Sequence, residues 1–238
     1  MTLNLYNNAK IKFADGEEVK QADEAVYLGV ELNTKVDIKK EINKRYKEVI
    51  ISWKRLGEFW KHGNSSTKDK LIIFNALIKS KLMYGLEGAQ LNFNHLQKLN
   101  TMQLKGLRQI LNITTTYIDR THTNEFVFNQ GQAQMKAGKT LKSFSESYQE
   151  KRMKYMGHLL RQTDDAPEKF ATLHTHTPFP QINPIRRVGA PRINWAEETM
   201  KMAWKTIYEQ MEENQQEMDI SNSLHINTLA LAAHIYLI

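Results

Sequence analysis

The chain contains no cysteine. That excludes disulfides, thiolate metal sites and cysteine nucleophiles, and it suits a reducing compartment, so the expected location is intracellular. Proline and glycine are scarce, at 5 and 11 of 238 residues, which excludes collagen-like and low-complexity architectures. Long hydrophobic runs are missing as well. The longest is the stretch Leu229–Ile238, interrupted by His234, whereas a membrane span needs about 20 apolar residues. The opening Met1-Thr2-Leu3-Asn4-Leu5 has neither a basic flank nor a long apolar stretch, so neither a targeting segment nor a membrane partner is expected. No Gly-rich phosphate loop, Ser/His/Asp set or pair of catalytic carboxylates stands out.

What the sequence does have is charge of one sign, unevenly spread. It carries 33 Lys and Arg against 26 Asp and Glu, a net +7, with a pI of about 9.3. From Ile193 onward there are 2 basic and 7 acidic residues; the preceding 192 residues hold 31 basic and 19 acidic. A basic body with an acidic tail fits a polyanionic partner, of which nucleic acid is the commonest. A solvated basic surface gives the same balance. The 41% hydrophobic content is ordinary for a folded soluble protein, and the length allows one large domain or two small ones.

Residues 1–33 read as strands: Ala9–Phe13 and Glu17–Val19 form a hairpin around Asp15-Gly16, and a second short strand covers Ala25–Val30. Everything after Lys35 reads as helical, so the fold class is mainly α with a small β element at the start. The clearest helix runs from Asp37 to Lys61. Its apolar positions Ile38, Ile42, Tyr46, Val49, Trp53, Leu56 and Trp60 fall within about an 80° arc. Lys40, Lys44, Lys47, Lys54 and Lys61 project to the opposite side. That row is either a solvated back face or a phosphate-binding one.

Ser66, with Asp69 three residues on, opens the next helix, which buries Leu71, Phe74, Ile78 and Leu82 and closes at Tyr84-Gly85. A third covers about Asn94 to Asn112, with Lys98, Lys105 and Arg108 on one side. Helices near Thr121–Gln134 and Lys139–Gln162 follow. Thr163–Arg192 holds every proline and reads as an extended linker. The last helices, Trp195–Glu217 and Leu224–Ile238, are acidic and then apolar.

Candidate chemistry is sparse. Phe13-Ala14-Asp15-Gly16 is similar to the carboxylate turn of reverse transcriptases, but that turn needs two adjacent Asp to hold magnesium. Here the second position is Gly16, and a hairpin tip accounts for Asp-Gly. Asp164-Asp165 with Glu168 reads as a helix end and solvated loop. His174 and His176 lack a third ligand nearby. His158 reads as a buried, hydrogen-bonded helical histidine. Arg186, Arg187 and Arg192, set around Gly189 and Pro191, form an extended arginine-rich segment suited to tracking phosphates.

Six phrases occur in order: Tyr27-Leu28-Gly29-Val30, then Ser80-Lys81-Leu82-Met83-Tyr84-Gly85-Leu86-Glu87, Leu107-Arg108-Gln109-Ile110-Leu111, Thr123-Asn124, Gly157-His158-Leu159-Leu160-Arg161, and Gly189-Ala190-Pro191-Arg192 leading to Trp195. Together, over about residues 11–200, they resemble the C-terminal part of LINE-type (non-LTR) retrotransposon reverse transcriptases. The resemblance implies strands at the end of the palm (1–33), a thumb-like helical bundle (34–118), post-thumb helices (119–162), a Pro/Arg linker (163–194) and C-terminal helices (195–238). Tyr27, Leu28, Gly29, Tyr84, Gly85, Glu87, Gly157, His158, Gly189, Pro191 and Trp195 carry it as structural motif residues. Ala190 stands where the family has Arg, and Gly88-Ala89-Gln90 where it has Trp.

Only 26 residues precede Tyr27, so the resemblance implies that the fingers and most of the catalytic palm lie outside this chain. Magnesium would belong to that palm, which would itself be a partner, and the chain alone is expected to be inactive. The implied function is to hold an RNA–DNA or RNA duplex through Lys40, Lys44, Lys47, Lys54, Lys105, Arg108, Arg186, Arg187 and Arg192. Phosphate contacts of this kind position a duplex without reading its sequence. The alternative is a degenerate remnant acting as a helical protein-interaction module.

Overall fold

Apolar residues at helical spacing fold most of the described residues into helix. The computed structural model is accordingly mainly α, with a two-stranded antiparallel hairpin near the start. It describes residues 12–18, 22, 24–27, 29–33, 38–135, 140–173 and 194–213. Two compact units divide the chain: Met1–Gly85 with Phe93–Leu141, and Leu86–Asn92 with Lys142–Ile238. The 119–162 stretch contributes one helix to each.

In the first unit, β1 (Glu24–Tyr27) pairs antiparallel with β2 (Val30–Asn33), Tyr27 opposite Val30. The single strand expected across Ala25–Val30 is therefore a hairpin. The chain reverses at Gly29, whose φ of +80° is a left-handed backbone that a residue without Cβ adopts readily. Upstream, Lys12 bridges Glu18, and Gly16 (φ +90°) donates its N–H to Phe13 O at 3.0 Å. The Asp15 carboxylate accepts the Glu17 N–H at 3.0 Å, so the Phe-Ala-Asp-Gly phrase is a turn.

The long helix expected from Asp37 to Lys61 is two helices, α1 (Lys39–Arg55) and α2 (Gly57–His62). Leu56 leaves helical geometry at φ −99°, ψ 20°, next to Gly57, a poor helix former. The break turns Trp60 back onto α1: its indole stacks on Trp53 at 4.4 Å and donates to Trp53 O at 3.1 Å. Ile42, Val49 and Trp60 are buried.

The next helix is continuous but not uniform. It runs as α3 (Thr67–Ile73), a π-helical segment (Phe74–Lys79) and α4 (Ser80–Met83). Ser66 caps it by accepting the Asp69 N–H at 3.2 Å, and Leu71, Phe74, Ile78 and Leu82 are all buried. Each such side chain contributes about 1.5–3 kcal/mol of apolar burial.

Against it packs α5 (Phe93–Leu111). This helix ends with Asn112 at φ +55° and the Ile113 N–H on Arg108 O at 2.9 Å, a left-handed C-terminal cap that asparagine tolerates. Then α6 (Asn124–Ala133), capped by Thr123, buries Val127 and Gly131.

The second unit holds α7 (Phe144–Arg161), α8 (Pro167–Thr172) and α9 (Trp195–Glu213). The expected start at Lys139 moves to Phe144 because Ser143 and Glu146 form a reciprocal capping box. The expected linker contains α8, which accepts Pro167 in its first turn, where the missing N–H removes no helical bond. Met156, Leu173 and Ala196 form a buried cluster with Leu160, Trp195 and Met200 packed on it.

The readings at Ala9–Ile11, Leu28, His174, His176, Arg186, Arg187, Gly189, Pro191, Arg192 and Leu224–Ile238 lie outside the described residues. Among the described residues, no helix is long and apolar enough to cross a membrane.

Candidate nucleic-acid interface

Seven Lys and Arg stand on α1 against two acids. One of those acids, Glu41, is turned inward and is 1% exposed. On α5 there are three Lys and Arg and no acid at all. The two helices are tied along a shared seam. Lys98 Nζ donates to Asn43 Oδ1 at 2.7 Å and sits 5.0 Å from the Tyr46 ring; further along, Trp53 Nε1 donates to Gln109 Oε1 at 2.8 Å. Residue numbers rise together along these contacts, so α1 and α5 run parallel.

At ~100° per residue, Lys47 and Lys54 lie within about 40° of Asn43 around α1, and Lys105 within about 20° of Lys98 around α5. Lys47, Lys54 and Lys105 are exposed. The seam is thus flanked by Lys47 and Lys54 on one side and Lys98 and Lys105 on the other. Members of each pair are separated by roughly 10 Å of helical rise. A row of ammonium groups concentrates positive potential, which an anionic backbone neutralises with release of counterions.

The other predicted cations are placed differently. Lys40 pairs with Glu24 and Lys44 Nζ donates to Gly29 O at 3.2 Å, so both reach toward the hairpin. Arg108 donates to Thr114 O at 2.6 Å, His122 O at 2.8 Å and Asn124 Oδ1 at 3.2 Å, which anchors the loop after α5. The four predicted α1 lysines therefore divide between the hairpin (Lys40, Lys44) and the seam (Lys47, Lys54).

Motif residues far apart in sequence meet in space. In the first unit, Arg45 Nη2 donates to Gly29 O at 2.8 Å, and its guanidinium lies 4.8 Å from the Tyr84 ring. A Cβ on Gly85 (φ +70°) would come within 2.6 Å of Val30 Cγ2, so only glycine lets the strand approach. In the second unit, Trp195 Nε1 donates to Glu87 O at 3.0 Å, while Trp195 O accepts from Arg152 Nη2 at 2.8 Å. Arg152 also donates to Thr199 Oγ1 at 2.6 Å and Gln90 Oε1 at 2.5 Å, and burial pushes its pKa down. Gly157 is buried in α7.

His158 corrects the expectation of a buried histidine: it is exposed, with Nε2 3.2 Å from Gln162 Nε2. Asp164 pairs with Lys169 at 2.8 Å. Sequence reasoning missed Arg45 and Arg152. For Arg45 a signal existed, because Glu41 four residues earlier on one helix face is the spacing of an ion pair. Arg152 touches Tyr148 four residues earlier on α7, but its bonds to Gln90, Trp195 and Thr199 reach groups distant in sequence that no local pattern announces.

Among the described residues, no three of His, Asp and Glu converge as a metal site requires. The magnesium that the resemblance implies has no ligand set among them. Comparison with protein-family models, curated proteins and solved structures returns no match.

Proposed function

We propose that this chain holds the backbone of an RNA–DNA duplex, in the manner of the thumb region of a LINE-type reverse transcriptase, with no polymerase chemistry on its own residues. One observation carries the reading: two parallel helices present Lys47, Lys54, Lys98 and Lys105 along one seam, and α5 carries no acid. The order of the six sequence phrases supports it. Phosphate contacts of this kind give affinity that falls steeply with salt and is indifferent to base sequence.

Fluorescence anisotropy of a blunt RNA–DNA hybrid, titrated with the chain across a salt series, tests this. The variant Lys47→Glu/Lys54→Glu/Lys105→Glu is expected to flatten the slope of log K against log salt by about 2–3, close to 0.9 per lost contact. Lys40→Glu/Lys44→Glu is expected to change it less, since those side chains reach toward the hairpin. A folded chain that fails to bind at low salt defeats the proposal and leaves the helical protein-interaction module as the reading.

A further inference from the structure

Beyond the seam, a cavity of about 320 Å³ opens in the first unit where the C-terminal end of α5, the start of α3 and one side of α6 meet. Thr67, Asn112, His122, Phe126, Gln130 and Gln134 line it. The volume is at the small end of ligand sites and suits one heterocycle. Its chemistry is specific in kind. Three carboxamides supply both donors and acceptors, Leu111, Ile113 and the two rings supply apolar surface, and none of the lining residues is acidic. A neutral planar ring with mixed donors and acceptors along its edge, a nucleobase, matches that set; unpaired bases are recognised by stacking combined with edge hydrogen bonds.

The rings are held in place. His122 Nδ1 is 2.8 Å from Thr114 Oγ1, and its Nε2 is 3.5 Å from Asp119 Oδ2. Its ring stacks on Phe126 at 5.3 Å and 19°. Asp119 is itself fixed by the Thr121 N–H and hydroxyl, at 2.9 and 2.7 Å, and those bonds lower its pKa. Arg108 clamps the same loop at Thr114 O and His122 O. A wall held this firmly loses little freedom on binding. Lys105 lies seven residues before Asn112, about 10 Å along the same helix. A strand whose phosphates follow Lys98 and Lys105 therefore arrives at the cavity.

We propose that this cavity receives one unpaired nucleobase from a strand held along α5. The inference rests on the nucleic-acid reading of the seam for its class of ligand. Three probes test it by anisotropy with the full chain: a blunt RNA–DNA hybrid, the same hybrid with a single-stranded overhang of about four nucleotides, and that overhang made abasic. The expected result is affinity for the overhang hybrid about five- to tenfold above the blunt one, the low end of the stacking contribution per base. Gln130→Leu/Gln134→Leu should abolish that gain and leave blunt binding unchanged, and the abasic overhang should give no gain.

Equal affinity for blunt and overhang hybrids overturns the proposal, as does an equal gain from the abasic overhang, since backbone charge then accounts for it. If the blunt hybrid does not bind, the seam reading has failed separately. The cavity is then judged by nuclear magnetic resonance with a free oligonucleotide of about four residues: shifts at the Gln130 and Gln134 side-chain amides uphold it, and their absence overturns it.

Discussion

A guanidinium taken out of water must have its donors filled and its charge balanced. Arg45 meets both conditions with two carboxylates within about one turn of helix and one carbonyl of the hairpin. Its Nε donates to Glu41 Oε1 at 2.5 Å, Nη1 reaches Glu48 Oε2 at 3.4 Å, and Nη2 goes to Gly29 O. Glu41 in turn accepts the Glu31 N–H at 2.8 Å, so the pair joins α1 to the hairpin's turn and to β2. Replacing Arg45 by Met leaves Glu41 buried and unpaired, and the expected loss is about 3–5 kcal/mol in urea unfolding. The double variant Arg45→Met/Glu41→Gln should recover part of that loss, because no lone charge remains. A single variant as stable as the parent would show that the ion pair contributes nothing.

The same residue marks a limit of sequence reading. The Lys row on α1 was legible from periodicity alone, but which lysines face α5 was not. Asn43, Tyr46 and Gln109 decide that, and polar contacts across a seam have no period. The place of Arg108 on the basic side of α5 suggests a phosphate contact; the carbonyls it donates to belong to a loop whose path no local pattern announces.

At the scale of elements, glycine and capping residues fix where helices break and how closely they approach. Gly106, in the interior of α5, is buried, and a Cβ there would lie 2.4 Å from Phe74 Cε2. Phe74 opens the π-helical segment, is itself 1% exposed, and packs edge-on against Trp53 at 5.5 Å. It has little room to yield. Gly106→Ala would gain helix propensity in isolation. Here it is expected to destabilise by about 1–3 kcal/mol, as overpacked cores do. The thermal midpoint checks the sign, and stabilisation would mean that Phe74 moves freely.

Ser66 was legible as a start signal because Asp69 follows at the capping spacing and the apolar stripe begins directly after it. Ser143 with Glu146 has the same spacing, but residues 139–142 ahead of it carry no break signal such as Pro or Gly, so the pattern points to a start at Lys139. The split at Leu56 was hidden by an apolar face that continues in register from Ile38 to Trp60. Periodicity reports which face is buried, not whether the backbone stays helical, and a lone Gly57 within a good pattern is a weak signal of a break.

At the scale of the whole molecule, each compact unit has its own buried set, and the second depends on a tyrosine. Tyr148, 2% exposed on α7, donates its hydroxyl hydrogen to Ala89 O and accepts the Leu91 N–H at 3.3 Å. It thereby fastens the 86–92 segment to α7. Burial raises its pKa above the ordinary tyrosine value, and Tyr155, raised by burial and by Glu168 and Glu87, follows the same direction. The fold favours the neutral phenol. Its contribution is therefore complete below about pH 10, where an unfolded tyrosine ionises, and is lost as pH climbs through the raised folded value.

Urea midpoints of the second unit, followed by fluorine resonances of a fluorotryptophan-labelled chain at Trp195, should accordingly fall as pH rises above about 10. Tyr148→Phe should cost about 1–3 kcal/mol at neutral pH, since Ala89 O and Leu91 N lose their partner. The variant should also show a shallower alkaline loss, because the Tyr148 phenol no longer titrates against the fold. A parent and variant with identical alkaline slopes would mean that Tyr148 does not hold the 86–92 segment in place.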